Sequence, residues 1–143
     1  MVFTALLIDA DSQRARVLCD ALQALGAAAP VQVVDTLAGA TQRLLHDGAA
    51  PDLIVAALKL PDGTVLDVDW PWDNWPALVA VGPGEEAQAA QAMRRGVSDY
   101  FIVDPAQGYR HTFPEQVRAV LAKADNLKRL RGTVERLDLV LGA

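Results

Sequence analysis

Short apolar runs separated by amphipathic stretches set the rhythm of this chain. Ala5-Leu6-Leu7-Ile8 reads as a first buried strand, and Asp9 follows it directly. Ala15, Leu18, Leu22 and Leu25 then recur at helical spacing. Asp11 or Ser12 can cap that helix, and Gly26 stands where a C-terminal glycine is expected. Val31 to Val34 gives strand two. Thr36 to His46, with Leu37, Ala40, Leu44 and Leu45 on one face, gives helix two, and Gly48 lies just past its end. Leu53 to Ala57 is strand three, Ala77 to Val81 strand four and Tyr100 to Val103 strand five. Between the last two a helix opens at Glu85-Glu86 and closes at Arg94-Arg95 before Gly96, with charges that complement its dipole. The last helix is expected from Thr112. There Thr112 to Glu115 spells a Thr-x-x-Glu capping box, and Pro114 falls in the first turn.

Strands that alternate with helices imply a parallel sheet covered on both faces. Right-handed crossovers leave few topologies. The expectation is therefore an α/β, flavodoxin-like three-layer sandwich with a five-stranded parallel sheet of order 2-1-3-4-5. Its functional crevice would lie at the carboxyl ends of the strands, where Asp9, Ala57, Val81 and Val103 converge. One crossover breaks the pattern. Thr64 to Trp75 should hold the third helix, yet it has a central Pro71 and no helical stripe, which predicts a short or broken helix. All three tryptophans, Trp70, Trp72 and Trp75, fall here. Two readings stand: they cover the core face that the missing turns leave open, or they form an exposed patch for a partner.

Composition narrows the function classes. A chain of 143 residues, 52% hydrophobic, fits one domain, here residues 1–124, followed by a helical extension or linker over 125–143. No apolar run approaches the ~20 residues needed to cross a bilayer. A net charge of −5 argues against direct nucleic-acid binding, which rests on cationic contacts to phosphate. The single Cys19 cannot form an internal disulfide and reads as a small buried hydrophobe, which fits a reducing cytoplasm. His46 and His111 have no ligand spacing around them and read as surface residues.

Pro51 to Gly63, a buried strand closed by the turn Leu60-Pro61-Asp62-Gly63, resembles the phosphoacceptor strand and following loop of bacterial response-regulator receiver domains. Leu7-Ile8-Asp9, Pro76 to Val81 and Arg95-Gly96-Val97-Ser98-Asp99-Tyr100 extend the resemblance in order over residues 3–124. An active receiver holds Mg²⁺ with two acids after strand one and the phosphoacceptor aspartate. It holds the phosphoryl oxygens with a Ser or Thr after strand four and a Lys after strand five. The resemblance places Asp9 at the first acid and Ala10 at the second. It places Ala57 at the phosphoacceptor, Val81 at the hydroxyl and Val103 at the lysine. Phosphoryl transfer depends on positioning and charge neutralisation, which these residues cannot supply.

The sequence thus resembles a degenerate receiver, a pseudo-receiver with no catalytic residues, no metal and no cofactor. Asp9 has two readings, a residual cation ligand or an acid that accepts backbone N–H bonds before helix one. Asp11 reads as a helix cap and Asp62 as part of its turn. Tyr100 matches the strand-five aromatic that switches rotamer in many receivers, and it can belong to a docking face of helix four, strand five and helix five.

Beyond Val120, Leu127, Leu130, Val134, Leu137 and Leu141 alternate steps of three and four, a heptad spacing over about two repeats that would favour homodimers; the alternative is a helix that packs back on the domain. Arg136 to Ala143 resembles the helix that opens some sensory PAS domains, which implies the N-terminal module of a larger signalling protein. The leading expectation is a non-phosphorylatable receiver in two-component-type signal transduction, acting by protein contact and dimerisation. Its competitors are a phosphoacceptor that uses Asp9 or Asp11 with Mg²⁺, and a small-ligand binder in the same crevice.

Overall fold

The computed structural model describes residues 2–28, 30–46 and 51–141, with backbone alone over 133–141. The elements run β1 (Ala5–Ile8), α1 (Ser12–Ala24), β2 (Gln32–Val34), α2 (Leu37–Thr41), β3 (Leu53–Ala57), β4 (Lys59–Leu60), β5 (Gly63–Thr64), β6 (Ala77–Val81), α3 (Glu86–Arg94), β7 (Asp99–Ile102) and α4 (Tyr109–Leu141). Five strands form a parallel sheet in the order β2-β1-β3-β6-β7. This is the expected 2-1-3-4-5 order once the small antiparallel hairpin β4-β5 is set apart. Strand five is displaced by one residue from its expected span, and the Val103 N–H still pairs with the Val81 carbonyl at 2.8 Å.

Alternation along each strand divides the core in two. Leu6, Ile8, Ile54, Ala56, Ala77 and Val79 face the layer that holds α2 and α3. Leu7, Leu53, Val55, Leu78, Ala80 and Phe101 face α1 and α4. Strands β3 and β6 are buried along their whole length, as central parallel strands are when helices cover both faces.

The third crossover has no α-helix. It holds two single 3-10 turns, Val65–Asp67 and Trp72–Asn74. Thr64 caps the first, accepting from the Leu66 N–H while its own N–H donates to Asp67. The tryptophans then do the covering. Trp70 and Trp72 are only 5% and 2% exposed. The three rings contact one another at centroid distances of 5.2 to 6.3 Å. The Trp70 indole N–H donates to the Thr41 hydroxyl at 3.1 Å. The patch reading is therefore corrected for Trp70 and Trp72: with the helix turns gone, apolar sheet surface is left open, and these rings fill it. Trp75 stays half-buried.

Two helix expectations also change. Helix two is α-helical only over Leu37–Thr41 and widens into a π turn at Gln42–His46. The last helix begins at Tyr109, so Thr112 caps nothing and Pro114 lies inside the helix. The start signal is Asp104, whose carboxylate accepts from the Gly108 N–H. Gln107 between them takes the left-handed φ of 58°. Gly48, Gly142 and Ala143 lie outside the described residues, as do the side chains of Val134, Leu137 and Leu141. Cys19 is half-buried against the core rather than fully inside it. His46 and His111 are exposed.

Candidate functional site

The sheet order brings the ends of β1, β3, β6 and β7 side by side, and this gathers Asp9, Ala57, Val81 and Val103 at one crevice. Ala57 is 3% exposed and Val81 1%, so the centre of the crevice is packed as core. Val103 is half-buried and Ala10 is exposed. None of these four side chains carries an atom that can bind metal or phosphate.

Asp9 is the one charged residue among the positions that the resemblance places in the crevice, and it is buried. Both of its oxygens are in use. Arg14 donates from Nε to Oδ2 at 2.6 Å and from Nη2 to Oδ1 at 2.7 Å, a two-bond fork. The Asp11 N–H donates to Oδ1 at 2.9 Å. The carboxylate raises the Arg14 pKa, chiefly through these hydrogen bonds and against the effect of burial. Asp9 thus takes the backbone N–H that one reading expected, and a guanidinium as well.

Asp11 caps α1, accepting from the N–H groups of Gln13 and Arg14 at 3.1 and 3.0 Å. Asp62 caps another helix across the fold. Its two oxygens accept from the Leu37 and Ala38 N–H groups at 2.8 and 3.0 Å, which holds its pKa below the usual carboxylate value.

A second ion pair closes the other side. Lys59, just past β3, meets Glu85 at 2.6 Å. Glu85 also accepts from the Gly82 N–H at 2.5 Å, at the carboxyl end of β6. Lysine and the backbone N–H together lower the Glu85 pKa. The loops after β3 and β6 are thereby tied together over Ala57 and Val81. Every charged group in this arrangement is answered by another group of the same chain.

Arg14 and Lys59 carry no sequence expectation of their own, and Glu85 only that of opening the helix after β6. Arg14 leaves a signal: a cation in the first turn of a helix opposes the dipole and calls for an acid nearby. Lys59 and Glu85 are brought together only by the pairing of β3 with β6. Tyr100 lies half-buried in β7. Leu127 and Leu130 are 45% and 62% exposed on α4.

Magnesium does not fit this crevice. It needs several hard oxygen ligands in octahedral geometry. Ala10 and Ala57 offer none, and both Asp9 oxygens are committed to Arg14. Among the described residues no three His, Cys, Asp or Glu side chains gather in a metal-binding set.

No protein-family model matches the chain, and no curated protein matches its sequence. Solved structures do match. A response regulator receiver domain protein from Clostridium thermocellum superposes with a TM-score of 0.69 at 17% identity, covering 89% of this chain and 97% of that one. NtrX from Brucella abortus in complex with ADP gives 0.74 at 18% identity, over 94% of this chain and 30% of that chain. A fusion that carries the yeast Spc42 trimeric coiled coil gives 0.68 at 15% identity, over 99% and 95%. The chain has the receiver fold. Within that fold its crevice is built from alanine and valine and closed by two internal ion pairs. Among the described residues of this receiver-fold chain, no helix is long and apolar enough to cross a membrane.

Proposed function

We propose that this chain is a signalling domain of the receiver type that works without a phosphoryl group, through contacts with other proteins. One observation carries the reading. The end of β3 presents Ala57, while the one acid retained in the crevice, Asp9, has both oxygens bound by Arg14. An acyl phosphate needs a free carboxylate at the point of attack, and its formation needs cations that neutralise the transferring group. Arg14 supplies a fixed positive charge to Asp9, so the demand for a metal disappears with the chemistry that used it. The state of the domain is then set by what binds it, through differential affinity for its conformations.

Homodimerisation fits the same reading. Helix α4 runs over Tyr109–Leu141, about 50 Å of helix, and carries Leu127 and Leu130 exposed on one side. The pair can lie along this extension, on the face of α3, β7 and α4 that includes Tyr100, or on both. A cytoplasmic place within a larger signalling protein, with no enzymatic activity of its own, completes the proposal.

The alternative, a phosphoacceptor at Asp9 or Asp11, has to break the Arg14 fork or the α1 cap before it can react. Intact-mass spectrometry after incubation with acetyl phosphate and Mg²⁺ separates the two. We expect an unchanged mass. A stable gain of one phosphate on a carboxylate sinks the proposal.

A further inference from the structure

Away from the crevice, a groove of about 390 Å³ runs between the second half of α4, the end of α3 and the loop that enters β6. Its lining is mixed: an apolar patch lies against α4, and the exposed Asp73, with Asn74, stands on the wall formed by the loop that enters β6. Trp75 and Val120 form the inner part of the patch, and Met93 and Leu127 the outer part at 39% and 45% exposed. On α4 stand Lys123, Lys128 and Arg131, all exposed. No ion pair answers any of the three among the described residues. Arg118 pairs with Glu115 and Arg129 with Asp125, while Arg16, Arg94 and Arg110 are in no ion pair among the described residues but do not line this groove.

We propose that this groove docks an acidic amphipathic helix of a partner protein. The inference rests on the reading of the domain as a protein-contact module and names the chemistry of the contact. Three observations select this occupant. First, the apolar strip Val120, Ala124 and Leu127 follows α4 for about 10 Å, enough for roughly two turns of a helix laid alongside. Second, Lys123 and Lys128 flank the apolar strip on its two sides and Arg131 stands at its end, so a helix with apolar residues at i, i+3 or i+4 and i+7 and acids beside them meets both. Third, an extended strand is less well served. The outer strand β7 already gives its Tyr100 carbonyl to the Gln116 side chain at 2.7 Å. A second copy is disfavoured in this groove by charge, since two-fold pairing across it sets the same three cations against each other; a homodimer is then left to Leu130 and the Tyr100 face, outside the groove.

The test is selection from a displayed library of random peptides of about 16 residues, long enough for about 24 Å of helix. The immobilised target is the full 143-residue chain. The triple variant Lys123→Glu, Lys128→Glu, Arg131→Glu serves as comparison, and Met93→Ser as a second variant that leaves the charges alone. We expect enriched peptides to be acidic with apolar residues at helical spacing. Their affinity should fall about tenfold or more in each variant, and with added salt. No enrichment, or enriched peptides without excess acid, overturns the proposal. So does binding that both variants retain. Light scattering on the same proteins covers the second copy: self-association lost in the triple variant, without acidic peptide binding, makes the groove a homotypic interface and also overturns it. Phosphate uptake is measured separately on the same protein. A gain of phosphate with peptide binding intact would sink the phosphate-independent reading and leave the groove standing.

Discussion

Arg14 occupies the first turn of α1, where a cation works against the helix dipole, and the buried carboxylate of Asp9 holds it there. Removing it leaves Asp9 buried and unpaired. Arg14→Ala should cost about 3 kcal/mol in urea denaturation, the low end for breaking a buried pair, because the guanidinium is itself 24% exposed. A loss near zero would mean that water or a solute ion replaces it at no cost. Ala57→Asp should also destabilise, by at least about 2 kcal/mol, since it places a carboxylate in a site that is 3% exposed and has no cation free to meet it. Thermal melting without metal checks this, and a variant more stable than the parent contradicts it. Glu85 gives a pH signature. Its folded pKa is depressed by Lys59 and the Gly82 N–H, so its contribution is complete above the ordinary glutamate value and is lost as pH falls through the lowered folded value. The stability gap between the parent and Glu85→Gln should therefore close across that acid window in denaturation series at stepped pH. A gap that stays constant to the lowest pH would contradict it.

At the scale of elements, the segment between β5 and β6 shows what sequence pattern could and could not reach. Pro71 and the absence of a helical stripe marked the broken helix, but the fate of the tryptophans depended on contacts made after folding. Trp70 reaches Thr41 of α2, and Asp73 lies against Gly96 at the end of α3. Gly96 takes a φ of +108°, and a Cβ there would come within 2.1 Å of the Asp73 carboxylate. Gly96→Ala should destabilise by about 1–3 kcal/mol, through the strained φ and the displaced Asp73 turn. The start of α4 departs from its sequence pattern for a similar reason. Thr112 and Glu115 have capping-box spacing, yet Asp104 captures the Gly108 N–H first and starts the helix at Tyr109. A box in sequence is a local option, and the earlier cap wins.

For the whole molecule, the order of the sheet was legible because each strand is a short apolar run and each crossover but one a helix. The emptied crevice was legible too, since Ala10, Ala57, Val81 and Val103 stand where strand ends must converge. What closes the crevice was not. Arg14 meets Asp9 within one loop, but Lys59 meets Glu85 only because β3 and β6 are neighbours in the sheet. The central claim is that these pairs leave the crevice unresponsive to metal and phosphoryl chemistry. Amide ¹H–¹⁵N spectra of the full chain, recorded before and after Mg²⁺ and beryllofluoride are added, test it most directly. The account predicts that the amides of Asp11, Leu58, Lys59 and Gly82 stay in place. Saturable shifts at those four amides, spreading to β7 and Tyr100, would contradict it.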